Sequence, residues 1–253
     1  MLTKNELKYY ASLNQKKFRN KENKFIVEGV KVVGEALNSS FKCDTVFVTN
    51  QFFDENREHL QRIIKKNLRL EIIKNPEFLR LTDTINPQGI AAVFNKPAKT
   101  AKVIEKLNSR LVVCLENISD PGNLGTIIRN CDWFGIKEVL LTEDCADIYN
   151  PKTMRSAMGS IFHLNILNGI QIEKLSILKN NGYNIICTDL DGDNIYTYKP
   201  PVKSVVVFSN EASGPSGETI VISDKKITIP RVGHAESLNV ACASAVILSI
   251  FTA

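Results

Sequence analysis

No apolar run in this chain approaches the ~20 residues that cross a bilayer. The opening Met1-Leu2-Thr3-Lys4-Asn5-Glu6-Leu7 carries no apolar stretch of the secretory kind. Six cysteines, at 43, 114, 131, 145, 187 and 242, include no Cys-x-x-Cys pair. A disulfide framework and a structural zinc site are therefore not expected; reduced thiols, a cytoplasmic location and no bound metal are. Neither a Walker A loop nor Gly-x-Gly-x-x-Gly occurs, which argues against a P-loop nucleotidase and a dinucleotide-dependent dehydrogenase.

What is present is an ordinary globular composition, 43% hydrophobic and 23% charged over 253 residues. The net charge is only +5, but it is unevenly spread. Residues 1–98 carry 17 Lys and Arg against 11 Asp and Glu, and the remaining 155 carry 15 against 16. A basic module that grips phosphates beside a near-neutral one fits this asymmetry, as does a plain basic surface. Within the first part, Lys16-Lys17-Phe18-Arg19-Asn20-Lys21 joins charge to an aromatic ring, a combination that suits RNA and equally a solvated face.

Alternating helical and extended patterns divide the chain. Phe25–Leu37, Glu58–Lys66 and Pro76–Leu81 read as helices, and Thr45–Thr49, Leu70–Ile73 and Gly89–Phe94 as strands. This gives a compact α/β unit over 1–98, then a polar joint over 99–108. The unit from 109 to 253 opens with the all-apolar Leu111-Val112-Val113-Cys114-Leu115, the signature of a buried parallel strand. Further strands are expected at Glu138–Leu141, Phe162–Leu167, Tyr183–Thr188, Ser204–Phe208 and Lys226–Ile229. The closing Glu236–Phe251 is a helix apolar nearly all round, which needs cover from the sheet or a second subunit.

Three polar segments each follow an apolar strand, where open α/β sheets bind ligands. Asn117-Ile118-Ser119-Asp120-Pro121-Gly122-Asn123-Leu124-Gly125-Thr126-Ile127-Ile128-Arg129 is a turn feeding a helix, with Arg129 in its first turns. A lone arginine there serves a site or merely pairs with a surface acid. Ser209-Asn210-Glu211-Ala212-Ser213-Gly214 lets backbone approach a ligand closely. Ile229-Pro230-Arg231-Val232-Gly233-His234-Ala235-Glu236-Ser237-Leu238-Asn239 leads into the last helix, with Glu236 or Ser237 as its cap and Asn239 in need of a partner.

The ordered trio Asn117…Asp120-Pro121-x-Asn123-x-Gly125-Thr126-Ile127-Ile128-Arg129, Asn210-Glu211-x-x-Gly214 and Ile229-Pro230…Glu236-Ser237-Leu238-Asn239-Val240 resembles the SpoU branch of the SPOUT RNA methyltransferases, over roughly residues 110–253. Asn23-Lys24-Phe25-Ile26-Val27-Glu28-Gly29 is similar to the start of the L30e-like RNA-binding domain that some members carry. The resemblance implies an α/β C-terminal domain with a trefoil knot, S-adenosylmethionine as cofactor, and methyl transfer to a ribose 2′-hydroxyl of RNA. It implies a homodimer through the C-terminal domain. Arg129 matches the family's catalytic arginine, and Asn117, Glu211, Ser237 and Asn239 its other polar site residues. Cofactor contacts would come from Leu190, Ser209, Asn210, Glu211, Gly214, Ile229, Pro230 and Leu238. Ser209, Ala212 and Ser213 depart from the commonest family residues but keep the space small. The two-domain layout favours 23S ribosomal RNA over transfer RNA as substrate, and a non-catalytic RNA-binding protein of the same fold is the remaining alternative.

Overall fold

A computed structural model describes residues 2–57, 60, 68–97 and 104–253. The chain forms two compact units, one of residues 1–98 with 149–162, the other of 99–148 with 163–253. The expected helix over Glu58–Lys66, Leu60 apart, and the joint over residues 99–103 lie outside the described residues.

In the first unit, α1 (Lys4–Ser12) begins at a capping box. The Thr3 hydroxyl accepts from the Glu6 amide at 3.2 Å while the Glu6 carboxylate accepts from the Thr3 amide at 2.9 Å, so two amides that no helical carbonyl reaches are satisfied. After α2 (Lys16–Glu22) come β1 (Lys24–Glu28), α3 (Val30–Asn38), β2 (Cys43–Thr49), α4 (Asn50–Glu55), β3 (Leu70–Ile73), α5 (Asn75–Leu81) and β4 (Ile90–Asn95). The sheet runs β1-β4-β2-β3, parallel between β2 and β3 and antiparallel elsewhere. The helix expected over Phe25–Leu37 therefore needs correction. Phe25, Ile26 and Val27 are three consecutive buried strand formers paired with Phe94, Val93 and Ala92. The helix starts only past Gly29, whose φ of 94° suits glycine alone. Arg19, read as part of a basic cluster, is 1% exposed and donates to the carbonyls of Leu13 at 3.1 Å and Asn14 at 2.7 Å. It ties the α1–α2 turn, and Lys16, Lys17 and Lys21 keep the exposed positions.

The second unit contains β5 (Leu111–Glu116), α6 (Pro121–Trp133) and β6 (Glu138–Thr142). The chain then passes through α7 (Pro151–Ala157), which clusters with the first unit; there Arg155 pairs with Glu28 at 3.2 Å and Asp83 at 3.0 Å. It continues with β7 (Asn165–Ile170), α8 (Leu175–Asn180), β8 (Asn184–Asn194), β9 (Ser204–Ser209), α9 (Gly217–Ile222), β10 (Lys225–Thr228) and α10 (Val240–Phe251). Among the described residues these strands form one parallel sheet, ordered β10-β8-β9-β5-β6-β7. Every residue of β5 and β9 is buried, as continuous apolar runs in a sheet covered on both faces must be. Three elements shift a boundary by three residues or more, and the strand expected to end at Thr188 runs on to Asn194. Phe162 sits in a 3₁₀ turn, edge-on to Phe41 at 5.1 Å, and the strand expected from it starts at Asn165. The last helix starts at Val240 rather than Glu236.

This strand order has one feature that positions a site. From β5 the chain moves outward through β6 to β7, then crosses back to β8 and β9 on the other side. The reversal falls between β5 and β9, where neighbouring loops lead away in opposite directions and leave a crevice at the strands' carboxyl ends.

Candidate active site

Glu116 ends β5 inside this crevice and is 6% exposed. Its carboxylate accepts from the Ser209 hydroxyl at 2.7 Å, the Thr219 hydroxyl at 2.8 Å and the Ser216 amide at 3.3 Å. A buried carboxylate needs such donors, and these bind the end of β9 and the start of α9 to β5. Sequence reasoning passed over Glu116; an acid closing an otherwise apolar strand was the signal available. Ser209, expected to touch a cofactor, spends its hydroxyl on this internal bond.

Asn117 follows with φ 53°, a left-handed conformation that asparagine tolerates better than other residues with a Cβ. Its amide donates to the Thr142 hydroxyl at 3.0 Å and its carbonyl accepts from the Asn210 side chain at 3.0 Å. The Asn210 amide also donates to the Ser119 hydroxyl at 3.3 Å, and its oxygen accepts from the Ala212 amide at 2.8 Å. The 117–119 and 209–212 loops are thus held to each other by one side chain. Asp120 then caps α6, accepting from the Asn123 amide at 2.9 Å.

The third segment joins through a chain of amide and carboxylate groups. Asn239 Nδ2 donates to Asn123 Oδ1 at 3.0 Å, Asn123 Nδ2 donates to Glu211 Oε1 at 3.2 Å, and the Val240 amide donates to the same Glu211 oxygen at 2.6 Å. Asn239 is the N-cap of α10, its oxygen accepting from Ala241 at 3.0 Å and Cys242 at 3.4 Å. The cap expected at Glu236 or Ser237 is corrected accordingly: residues 231–239 form an exposed loop, and Arg231 holds it by donating to the carbonyls of Ala235 and Glu236. Asn239 has both a helix end and a partner, which resolves its oddity in the sequence. Glu211 places a negative charge at the positive end of α10, a favourable arrangement. Asn123, a position of the motif to which no site role was given, links the three segments.

Two expected residues stay apart from this network. Arg129 lies in the third turn of α6, six residues and about 9 Å along the axis from Asn123. It is exposed and makes no hydrogen bond or ion pair among the described residues. Ser237 is exposed in the loop. Beside the Asn117 turn, an open cavity of about 360 Å³ is bordered by Glu116, Glu143, Asp144, Glu173 and Glu218; so acidic a rim disfavours a bound phosphate.

The carboxyl ends of β8, β9 and β10 adjoin one another. Thr228 donates to the carbonyl of Leu190 at 3.2 Å, and Thr188 to that of Val207 at 3.1 Å. At Gly192 a Cβ would lie 2.8 Å from the Ile227 nitrogen, so only glycine allows β8 and β10 to approach so closely. Leu190 and Leu238 leave 70% and 50% of their surfaces bare, and Ile229 and Pro230 are half-buried. Exposed apolar side chains at these strand ends fit an adenosyl group, whose base wants apolar faces. No cluster of His, Cys, Asp or Glu among the described residues could hold a metal ion. Burial pushes the Cys114, Cys131, Cys145 and Cys187 thiols up, so none of them is a ready nucleophile.

Residues 110–249 match the model of the SpoU rRNA Methylase family, and residues 4–92 the MRM3-like substrate binding domain. The chain is 34% identical over 96% of its length, and 94% of the relative's, to the 23S rRNA (guanosine(2553)-2'-O)-methyltransferase RlmP of Bacillus subtilis. A putative RNA methyltransferase of the TrmH family from Porphyromonas gingivalis superposes with a TM-score of 0.86 at 30% identity, covering 99% of this chain and 98% of that one. An AdoMet-bound rRNA methyltransferase from Sinorhizobium meliloti gives a TM-score of 0.87 at 26% identity, covering 99% and 95%. With both halves matched and the α/β architecture shared, this chain belongs to the SpoU family of S-adenosylmethionine-dependent RNA 2′-O-ribose methyltransferases.

Proposed function

We propose that this member methylates a ribose 2′-hydroxyl of 23S ribosomal RNA. The observation that carries the reading is the convergence of the 117–123, 209–212 and 239–240 segments through Asn123, Glu211 and Asn239 at the switch point of the sheet. The Bacillus subtilis relative acts on 23S rRNA and covers nearly the whole chain, which supports the choice of substrate. Residues 1–98, with their positive surplus, serve as the RNA-binding domain, and 109–253 as the catalytic domain joined by 99–108.

Leu190, Ser209, Asn210, Gly214, Ile229, Pro230 and Leu238 hold the cofactor, mainly through backbone groups and the two bare leucines. When bound, S-adenosylmethionine supplies a methyl group on a positively charged sulfur, open to in-line attack. Glu211, Ser237 and Asn239 orient the acceptor, with Asn117 beside them, because attack demands an aligned oxygen near 3 Å. Guanidinium stays protonated at ordinary pH. Arg129 therefore acts as a cation, holding the RNA phosphate or the developing alkoxide, and reaches a base role only through relayed protons. The last helix supports a homodimer: Ala243, Ala245, Val246 and Ile250 are only half-buried in a single chain, and apolar side chains of this kind suit a second subunit. The reading places the enzyme in the cytoplasm; among the described residues no helix is long and apolar enough to cross a membrane.

Tritiated-methyl transfer to unmodified 23S rRNA and, separately, to bulk transfer RNA tests this reading. A labelled 2′-O-methyl nucleoside from 23S rRNA alone is expected. Label in transfer RNA overturns the substrate, and no label in naked RNA or in ribosomal particles overturns the reaction. Arg129→Ala is expected to abolish transfer while cofactor binding largely persists; loss of both refutes the role given to Arg129.

A further inference from the structure

The chain has a single tryptophan, and it is 84% exposed. Trp133 ends α6, four residues beyond Arg129. Residues spaced three and four apart share one side of a helix, and Gly122, Thr126, Arg129 and Trp133 follow that spacing. The opposite side carries the buried Leu124, Ile127, Ile128 and Cys131. A flank is covered by α10, since Asn130 donates to the Ala241 carbonyl and the Ser244 hydroxyl, both at 2.9 Å. On the remaining stripe Thr126, Arg129 and Trp133 are exposed, and at its far end a guanidinium and an indole stand one turn apart, without partners among the described residues.

An exposed indole beside a cation offers a flat face for stacking. Two occupants fit an exposed aromatic ring, a second copy of the chain and a nucleobase. The core of a subunit interface is apolar and poor in charge, which describes the half-buried aliphatic residues of α10 but not a stripe of glycine, threonine and arginine. A cation beside a flat aromatic surface matches a nucleotide, whose phosphate and base lie on either side of the ribose. We infer that Trp133 is a stacking platform for a base of the RNA substrate, working with Arg129 on the same face of α6 to hold the nucleotide whose ribose is methylated or its direct neighbour. This inference rests on the reading of Arg129 as the RNA contact.

Because there is one tryptophan, its fluorescence reports on this position alone. Titrating the intact enzyme with 23S rRNA fragments is expected to quench Trp133 emission and shield it from acrylamide, with the midpoint tracking RNA affinity. Trp133→Ala is expected to raise KM for RNA about tenfold or more, the range for one lost base–aromatic stack, while kcat at saturating RNA and cofactor affinity hold. Trp133→Phe should recover most of the loss, which a role in folding alone would not produce. If wild-type enzyme binds and methylates RNA with emission unchanged, the inference fails while the function stands. Emission already blue-shifted before RNA, and moving with protein concentration, assigns the ring to a subunit interface and overturns it. Failure of methyl transfer by wild-type enzyme refutes the functional reading instead.

Discussion

Asn239→Ala removes three hydrogen bonds at once: the two that cap α10, from Ala241 and Cys242, and the one to Asn123 that ties the loop to α6. Losing an asparagine cap costs about 1 kcal/mol, and an exposed neutral hydrogen bond adds about 0.5 kcal/mol. The sum of about 1.5 kcal/mol lowers the midpoint of thermal unfolding by roughly 3–6 °C for a chain of this size. Asn239→Ser separates the two roles. Serine caps as well as asparagine, so stability should return to within a degree or two, yet its short hydroxyl does not reproduce the amide that donates to Asn123. Thermal melts and methyl-transfer rates on the three proteins are the assay. The expected pattern is a destabilised, inactive alanine variant beside a stable serine variant with kcat still reduced at least tenfold. A double-mutant cycle with Asn123→Ala should give a coupling energy of about 0.5 kcal/mol or more, the value for groups in one network. A serine variant with full wild-type kcat would falsify the orienting role and leave Asn239 a helix cap only.

Glu116→Ala strands the buried Ser209 and Thr219 hydroxyls, and should destabilise the second unit by about 3 kcal/mol in urea unfolding. A loss below 1 kcal/mol would mean that the carboxylate does not hold β9 and α9 to β5. The Glu6 carboxyl is held down to about 2 by its bond to the Thr3 amide and by Arg69. A depressed carboxyl stabilises the fold fully above its unfolded value near 4.5 and loses that contribution as pH falls toward 2. Comparing acid unfolding of wild type and Glu6→Gln should therefore show a gap at pH 6 that closes between about pH 4.5 and 2; a gap independent of pH refutes the linkage.

β5 and β9 were legible because each is a short apolar run bounded by turn residues, and burial on both faces leaves such a run no other use. Phe25–Val27 failed for a related reason. Three buried residues in a row carry no helical or alternating period, and the valines of α3 beyond them lent a helical rhythm that Gly29 interrupts. The partners within the site were beyond any periodicity. Asn123 and Asn239 are 116 residues apart, and Glu116 and Thr219 are 103 apart; which polar groups meet depends on the crossing from β7 back to β8, and strand order leaves no local trace in the sequence.

That same long-range assembly accounts for what the isolated chain leaves bare. Glu211, Asn123 and Asn239 satisfy one another and the end of α10, so they are set in place before any substrate arrives. Positioning of this kind lowers a barrier only if the groups need not reorganise during attack. Arg129 is different: it has no partner among the described residues and stands where the helix surface is open. A cation that was already paired would have to give up that partner to take a phosphate, and the lost interaction would be subtracted from RNA binding. On the function proposed above, leaving Arg129 unpaired and the amide–carboxylate chain closed would divide the work, the preformed part fixing geometry and the bare cation adding its interaction only with the anionic substrate present. Introducing an acid at Thr126, on the exposed stripe one turn before Arg129, should test that division. Thr126→Asp is expected to weaken RNA binding by about tenfold at low salt, with a smaller effect at high salt, where exposed charges are screened. Unchanged RNA affinity at both salts would mean that the open face of α6 does not meet the RNA backbone.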